Sequence, residues 1–191
     1  MGTSRRIKLR IALITLVVVV GVVTALPAFL HTPAAANMEL ASWSEESWPF
    51  PIDQWGTGRA FRCSSGACGT ELNLYLRAKL GFCRCATGVS DDDEIDRVGD
   101  TELFGSDYEP RLPGHSVIAG LLKGRARRFT VHRAFASSMS VLTIALANKC
   151  DAVVATVAAG PELTSAQETA ALDFLRNDPI QRWAAANTQS Q

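Results

Sequence analysis

Ser140-Val141-Leu142-Thr143-Ile144-Ala145-Leu146-Ala147-Asn148-Lys149-Cys150-Asp151-Ala152-Val153-Val154-Ala155-Thr156-Val157-Ala158 is the stretch that decides the fold. Leu142, Ile144 and Leu146 recur at every second position, the period of a strand whose alternate side chains face opposite ways. Asn148-Lys149 breaks the run as a turn, and Asp151–Ala158 resumes as an apolar strand. Strands joined by so short a link pair antiparallel.

The pattern extends upstream. His115–Leu122 and Arg125–Phe135 read as two more strands, with Lys123-Gly124 as the hairpin turn between them, and Pro110–Gly114 reads as a loop. Earlier, Glu71-Leu72-Asn73-Leu74-Tyr75-Leu76-Arg77-Ala78-Lys79 alternates polar and apolar residues, and Arg59–Arg62 forms the first short strand. Downstream, Gly160-Pro161 ends the sheet. Thr164 with Gln167 opens a helix to about Arg176, and Asp178-Pro179 opens a last one carrying Ile180 and Trp183. The expectation is α+β: an antiparallel sheet of about five or six strands with two C-terminal helices on one face.

An apolar head precedes this body. Residues 1–10 carry Arg5, Arg6, Lys8 and Arg10, and Ile11–Leu30 is apolar apart from two threonines. Two readings stand: a secretory signal cleaved after Ala34-x-Ala36, or a transmembrane helix that stays as an anchor. Ser4-Arg5-Arg6 is also a partial twin-arginine signal. Each reading places the rest of the chain in the cell envelope, periplasmic or anchored to the inner membrane, with residues 11–30 as the membrane contact. The organisation that follows is residues 1–36 as signal or anchor, 37–58 as a Trp/Pro-rich linker, 59–186 as one domain, and 187–191 as a loose tail.

The formal charge is zero for the whole chain, but residues 37–191 hold 15 basic against 19 acidic residues. That balance excludes a dedicated nucleic-acid binder, which needs surplus cations to displace counterions. A body of about 155 residues buries roughly 70% of its unfolded surface, enough to fold without cross-links.

Four of the five cysteines, Cys63, Cys68, Cys83 and Cys85, lie in two turns flanking the strand 71–79. Outside the cytoplasm they become disulfides. A Cys83–Cys85 bond would need a strained loop, so the expected pairing runs from Cys63 and Cys68 to Cys83 and Cys85. Cys150 either joins one of them or stays a buried thiol. The alternative is structural zinc held by the four thiolates. Thiol–disulfide exchange lacks its usual Cys-x-x-Cys. The densest charge is Ser90-Asp91-Asp92-Asp93-Glu94-Ile95-Asp96-Arg97-Val98-Gly99-Asp100. It reads as a short helix capped by Ser90, with Ile95 and Val98 inward and Gly99 ending it. The sharper alternative is a cation site on Asp91, Asp92, Asp93 and Asp96, though the spacing is not that of an EF-hand. Lys123, Arg125, Arg127, Arg128, His132 and Arg133 make a basic strand, read either as a wet face or as a patch for anionic lipid heads or acidic glycans.

Gly81-Phe82-Cys83-Arg84-Cys85 running into Asp91–Asp100, with Cys150-Asp151 later, resembles a group of uncharacterised bacterial envelope proteins over most of residues 59–185. The resemblance implies a location and brings no activity with it. The body contains no Gly-x-Ser-x-Gly, His-Glu-x-x-His or phosphate loop. His115 and His132 lie in strand-like segments and read as strand-surface residues rather than bases, and for Glu71, Asp151 and Asp173 the sequence identifies no partner. The functional expectation is a non-catalytic envelope protein, anchored or secreted, that binds another envelope component or plays a structural role. An extracytoplasmic enzyme or a zinc domain is the alternative.

Overall fold

The computed structural model describes residues 42–188. The expected apolar helix at 11–30, the cleavage site and residues 189–191 lie outside them. Eight strands form one antiparallel sheet: β1 (Trp43–Glu46), β2 (Arg59–Cys63), β3 (Leu72–Lys79), β4 (Tyr108–Pro110), β5 (His115–Ala119), β6 (Leu122–Arg133), β7 (Ala136–Asn148) and β8 (Asp151–Ala158). Their order is β1-β2-β3-β8-β7-β6-β4, with β5 on the same edge of β6 as β4. The helices are α1 (Ser65–Cys68), α2 (Asp92–Val98), α3 (Ser165–Arg176) and α4 (Asp178–Asn187), with a 3-10 turn at Thr101–Phe104.

The α+β class, the antiparallel sheet and the two C-terminal helices stand as expected, but the strand count does not. The two additional strands are short edge pieces, one inside the segment read as linker and one ending at Pro110, where the expected loop begins. β1 pairs with β2 through Trp43↔Cys63 to Glu46↔Ala60, so the Trp/Pro-rich stretch supplies an edge of the sheet. β4 needs only three residues, Tyr108 opposite Val131 through Pro110 opposite Phe129. Pro110 fits there because an edge strand can spare a donor.

The meander turns elsewhere than expected. Ala119 faces Leu122, so Gly120-Leu121 is the turn, with Gly120 at φ 62° in the first central position. Lys123-Gly124 lies inside β6, where Gly124 opposes Leu146. A Cβ on Gly124 would sit 1.8 Å from the Ala145 carbonyl oxygen, so glycine here allows the close approach of two backbones.

β3, β7 and β8 are central and covered on both faces, which is why β8 reads as continuous apolar sequence. On the first face Leu72, Leu74, Leu76, Leu142, Ile144, Leu146, Val153, Ala155 and Val157 pack under α3 and α4 through Ala171, Phe174, Leu175, Ile180 and Ala184. Thr164 and Gln167 form a reciprocal capping box at the start of α3. Trp43 and Phe61 stack on Phe174 at 4.9 and 4.8 Å. On the second face a smaller cluster, Cys83, Val89, Ile95, Val98, Ala145, Ala152 and Val154, seats α2. Thr188, expected in the loose tail, is buried and accepts a 2.7 Å hydrogen bond from Asn148.

Gly124→Ala should therefore destabilise the domain by about 1–3 kcal/mol, read as a lower urea midpoint. An unchanged midpoint would contradict the observed β6–β7 register.

Candidate functional site

Because side chains alternate, the strand that buries Leu72, Leu74 and Leu76 against the helices must send Tyr75, Arg77 and Lys79 to the other side. That side is also covered: Arg77 and Lys79 are each only 2% exposed. Buried cations persist only with paired, hydrogen-bonded anions, and the second face is built around meeting that demand. The Arg77 guanidinium donates to Asp100 at 3.0 and 2.5 Å and to Asp53 at 2.8 and 2.7 Å. Lys79 Nζ lies 2.8 Å from the Asp100 carboxylate and donates to the Gly99 carbonyl at 3.1 Å.

Local structure delivers each partner. Asp91, one residue later than expected, caps α2 by accepting from the Glu94 amide at 2.8 Å. Ile95 and Val98 anchor the helix, and the Gly99 N–H closes it onto the Ile95 carbonyl. Asp100 then emerges directly above Arg77 and Lys79. Thr101 continues the contact through a 2.9 Å hydroxyl bond to Thr143 of β7. From the other direction, residues 47–58 carry Asp53 and the rings of Trp48 and Trp55 across the same face. Trp48, Phe50, Tyr75 and Phe104 form an edge-to-face cluster, and Trp55 lies 4.5 Å from Phe82. Arg77 sits 5.5 Å from the Trp48 ring, and Lys79 sits 5.4 Å from Trp55. Gly58 makes this crossing feasible: a Cβ there would lie 2.5 Å from both the Leu76 carbonyl and Trp48.

Beside this pair stands a second, more exposed set. Asp92 accepts from Arg125 at 2.6 Å and from the Gly114 amide at 3.1 Å, and Asp96 meets Arg127 at 2.5 Å. The acidic block and the basic strand β6 are thus partners of each other. Arg128 points to the opposite face, where it and His115 share the buried Glu168 at 2.6 and 2.7 Å. Of the four residues expected as a cation site, Asp91 caps a helix, Asp92 and Asp96 bind arginines, and Asp93 faces solvent. Among the described residues, no three His, Cys, Asp or Glu side chains are grouped to hold a metal.

The sulfurs pair differently from the expected cross-strand scheme. Cys63 bonds Cys68 within its own turn, and Cys85 bonds Cys150 across 65 residues. The first needs only the α1 excursion. The second needs the β7–β8 turn, where Lys149 at φ 57° brings Cys150 to the loop of Cys83 and Cys85. Cys83 is the free thiol; it donates to the carbonyls of Asp151 and Lys149 at 3.1 and 3.3 Å. Burial pushes its pKa up, with Glu94 and Asp151 adding to the rise. Sequence reasoning missed Arg77, Asp53 and Asp100. The available signal was the pair of cations two residues apart in a strand already committed to bury three leucines.

Two openings accompany these features. A cleft of about 100 Å³ is walled by Trp55, Phe82, Tyr108 and Phe129 and reaches Lys79; it has room for a few water molecules. A wider groove of about 470 Å³ runs between the Gly120-Leu121 turn and α4, past Ala147, Lys149, Gln181 and Ala185. The chain matches no protein-family model and no curated protein sequence. The two disulfides belong to a protein of an oxidising compartment outside the cytoplasm, and no described helix is long and apolar enough to cross a membrane.

Burial pushes Asp53 upward, but the hydrogen bond and charge of Arg77 outweigh it, leaving its pKa below the ordinary value. Asp92 is held down likewise by Arg125 against burial. A depressed carboxyl contributes stability that is complete above its unfolded pKa, about 3.9. That contribution is lost as pH falls through the folded value. The urea midpoint should therefore drop below about pH 4, and the drop should be shallower in an Asp53→Asn, Asp92→Asn variant. An equally steep acid loss in that variant would contradict the assignment.

Proposed function

We propose that residues 37–191 are a non-catalytic domain of the cell envelope, secreted or anchored through residues 11–30, that binds another envelope component. The observation that carries this reading is the placement of the two disulfides, Cys63–Cys68 at one end of the sheet and Cys85–Cys150 at the other. A body of this size does not need cross-links to fold. Two of them, each stapling a loop at the rim, suit a domain that must keep its shape beyond the reach of chaperones and reductants.

The charge arrangement supports the non-catalytic part. Arg77, Lys79, Asp100 and Glu168 are bound to one another or to arginine and histidine partners at 2.5–2.8 Å. Groups so engaged tie the end of α2 to β3, and α3 to β5 and β6. The groove beside Leu121 is the surface this reading offers a partner, because Leu121 is 95% exposed on a two-residue turn.

Acid-quenched cells alkylated before and after reduction should yield the Cys63–Cys68 and Cys85–Cys150 peptides oxidised, in protein that protease reaches from outside the cytoplasmic membrane. Five reduced thiols in a protease-protected cytosolic species would refute the reading.

A further inference from the structure

We infer that the tip of the β6–β7 hairpin, led by Phe135, is a membrane-contact point that rests in the headgroup zone of the bilayer holding this chain. The inference rests on the anchored form of the proposed function.

The first observation is the tip itself. β6 and β7 are the longest strands, 12 and 13 residues, and they outrun their neighbours. One row of the sheet runs Asn73, Ala158, Val141, Phe129 and Pro110; β6 continues beyond it to Arg133, paired with Ala136 across an Ala134-Phe135 turn. At about 3.3 Å per residue the tip stands roughly 13 Å past that row. Phe135 is fully exposed there, at 103%. The Arg133 guanidinium donates twice to the Ser137 carbonyl, at 3.0 and 2.6 Å, and so stiffens the turn that presents the ring. His132 and Arg133 flank it; two acids stand behind them on the neighbouring edge, Asp107, whose carbonyl accepts from the His132 amide at 2.8 Å, and Glu109, 3.7 Å from the His132 ring.

The second observation is where the upstream chain leaves. Trp43, at the start of β1, lies in the row of Cys63 and Leu72, next to the row just traced and at the same end of the sheet as the tip. The apolar run ends at Leu30, a dozen residues before Trp43. Those residues reach at most about 40 Å when extended. Five strand spacings, about 24 Å, separate β1 from β6. A bilayer held by residues 11–30 is therefore within reach of this end of the sheet.

The shape selects the occupant. A stable protein interface needs about 800 Å² from each partner, and a single convex ring on a two-residue turn cannot supply it. An aromatic ring with an apolar body, beside an arginine whose charged head stays in water, suits the headgroup boundary. One ring binds weakly alone, but a short tether makes the encounter intramolecular. This orientation turns Leu121 and its groove, at the opposite end of β6, away from the membrane.

The test uses the full chain in vesicles of phosphatidylethanolamine and phosphatidylglycerol. Spin labels are placed at Ala134→Cys, which keeps Phe135, or at Leu121→Cys, with the unsubstituted chain as background for buried Cys83. The label at 134 should be more accessible to oxygen than to a water-soluble nickel complex, and the label at 121 should show the reverse. A chain that floats with vesicles while the 134 label stays in water overturns the inference and leaves anchoring intact. A chain that does not float overturns both. A 134 label immobilised by protein and shielded from lipid also overturns the inference, in favour of a protein contact.

Discussion

The Arg77–Asp100 ion pair is the constraint on which the second face depends. β3 occupies a position in the sheet where both surfaces are covered, yet its sequence puts two cations on one of them. Burying a guanidinium and an ammonium is costly unless carboxylates accompany them. The structure meets that cost with Asp100 just past the end of α2 and Asp53 in the Trp-bearing segment 47–58. Both elements are thereby fixed to the sheet. What looks from outside like a helix and a loop lying on a strand is an arrangement dictated by two charges beneath them.

The two faces are held by different physics. The helix-covered face is aliphatic and aromatic, and its cohesion comes from area removed from water. The opposite face has a smaller apolar patch around Ile95 and Val98, with ion pairs and ring contacts carrying the remainder. Ion pairs demand geometry that apolar contacts do not, and the disulfide from Cys85 to Cys150 lies on this side, next to the free Cys83. The cross-link limits how far the loop from Gly81 to Ser90, which leads into α2, can stray from β8.

Much of the scaffold could be read directly. The period-two pattern in β7, the Thr164–Gln167 cap and the Ile95/Val98 spacing each follow from local geometry, and each stands in the structure. The short edges β1 and β4 could not be read, because three or four residues carry too little periodicity and owe their pairing to neighbours. The hairpin turn was misplaced because Lys-Gly and Gly-Leu look equally plausible until the approach of Ala145 to Gly124 is known. The ion pairs between the acidic block and β6 were hidden for another reason. Each half was visible as a charge run, and only the register of β6 against α2 brings them together. The cysteine pairing likewise depends on the Lys149 turn returning Cys150 to a loop 65 residues earlier.

Native-state hydrogen exchange of an Asp100→Asn variant probes the buried pair most directly. Removing one partner of a buried ion pair costs about 3–5 kcal/mol, and the loss should be regional. Amides of α2 and of the segment carrying Trp48 to Trp55 should exchange markedly faster, while α3 and the β7–β8 ladder keep most of their protection. Unchanged protection in α2, or a loss spread evenly over both faces, would contradict the account.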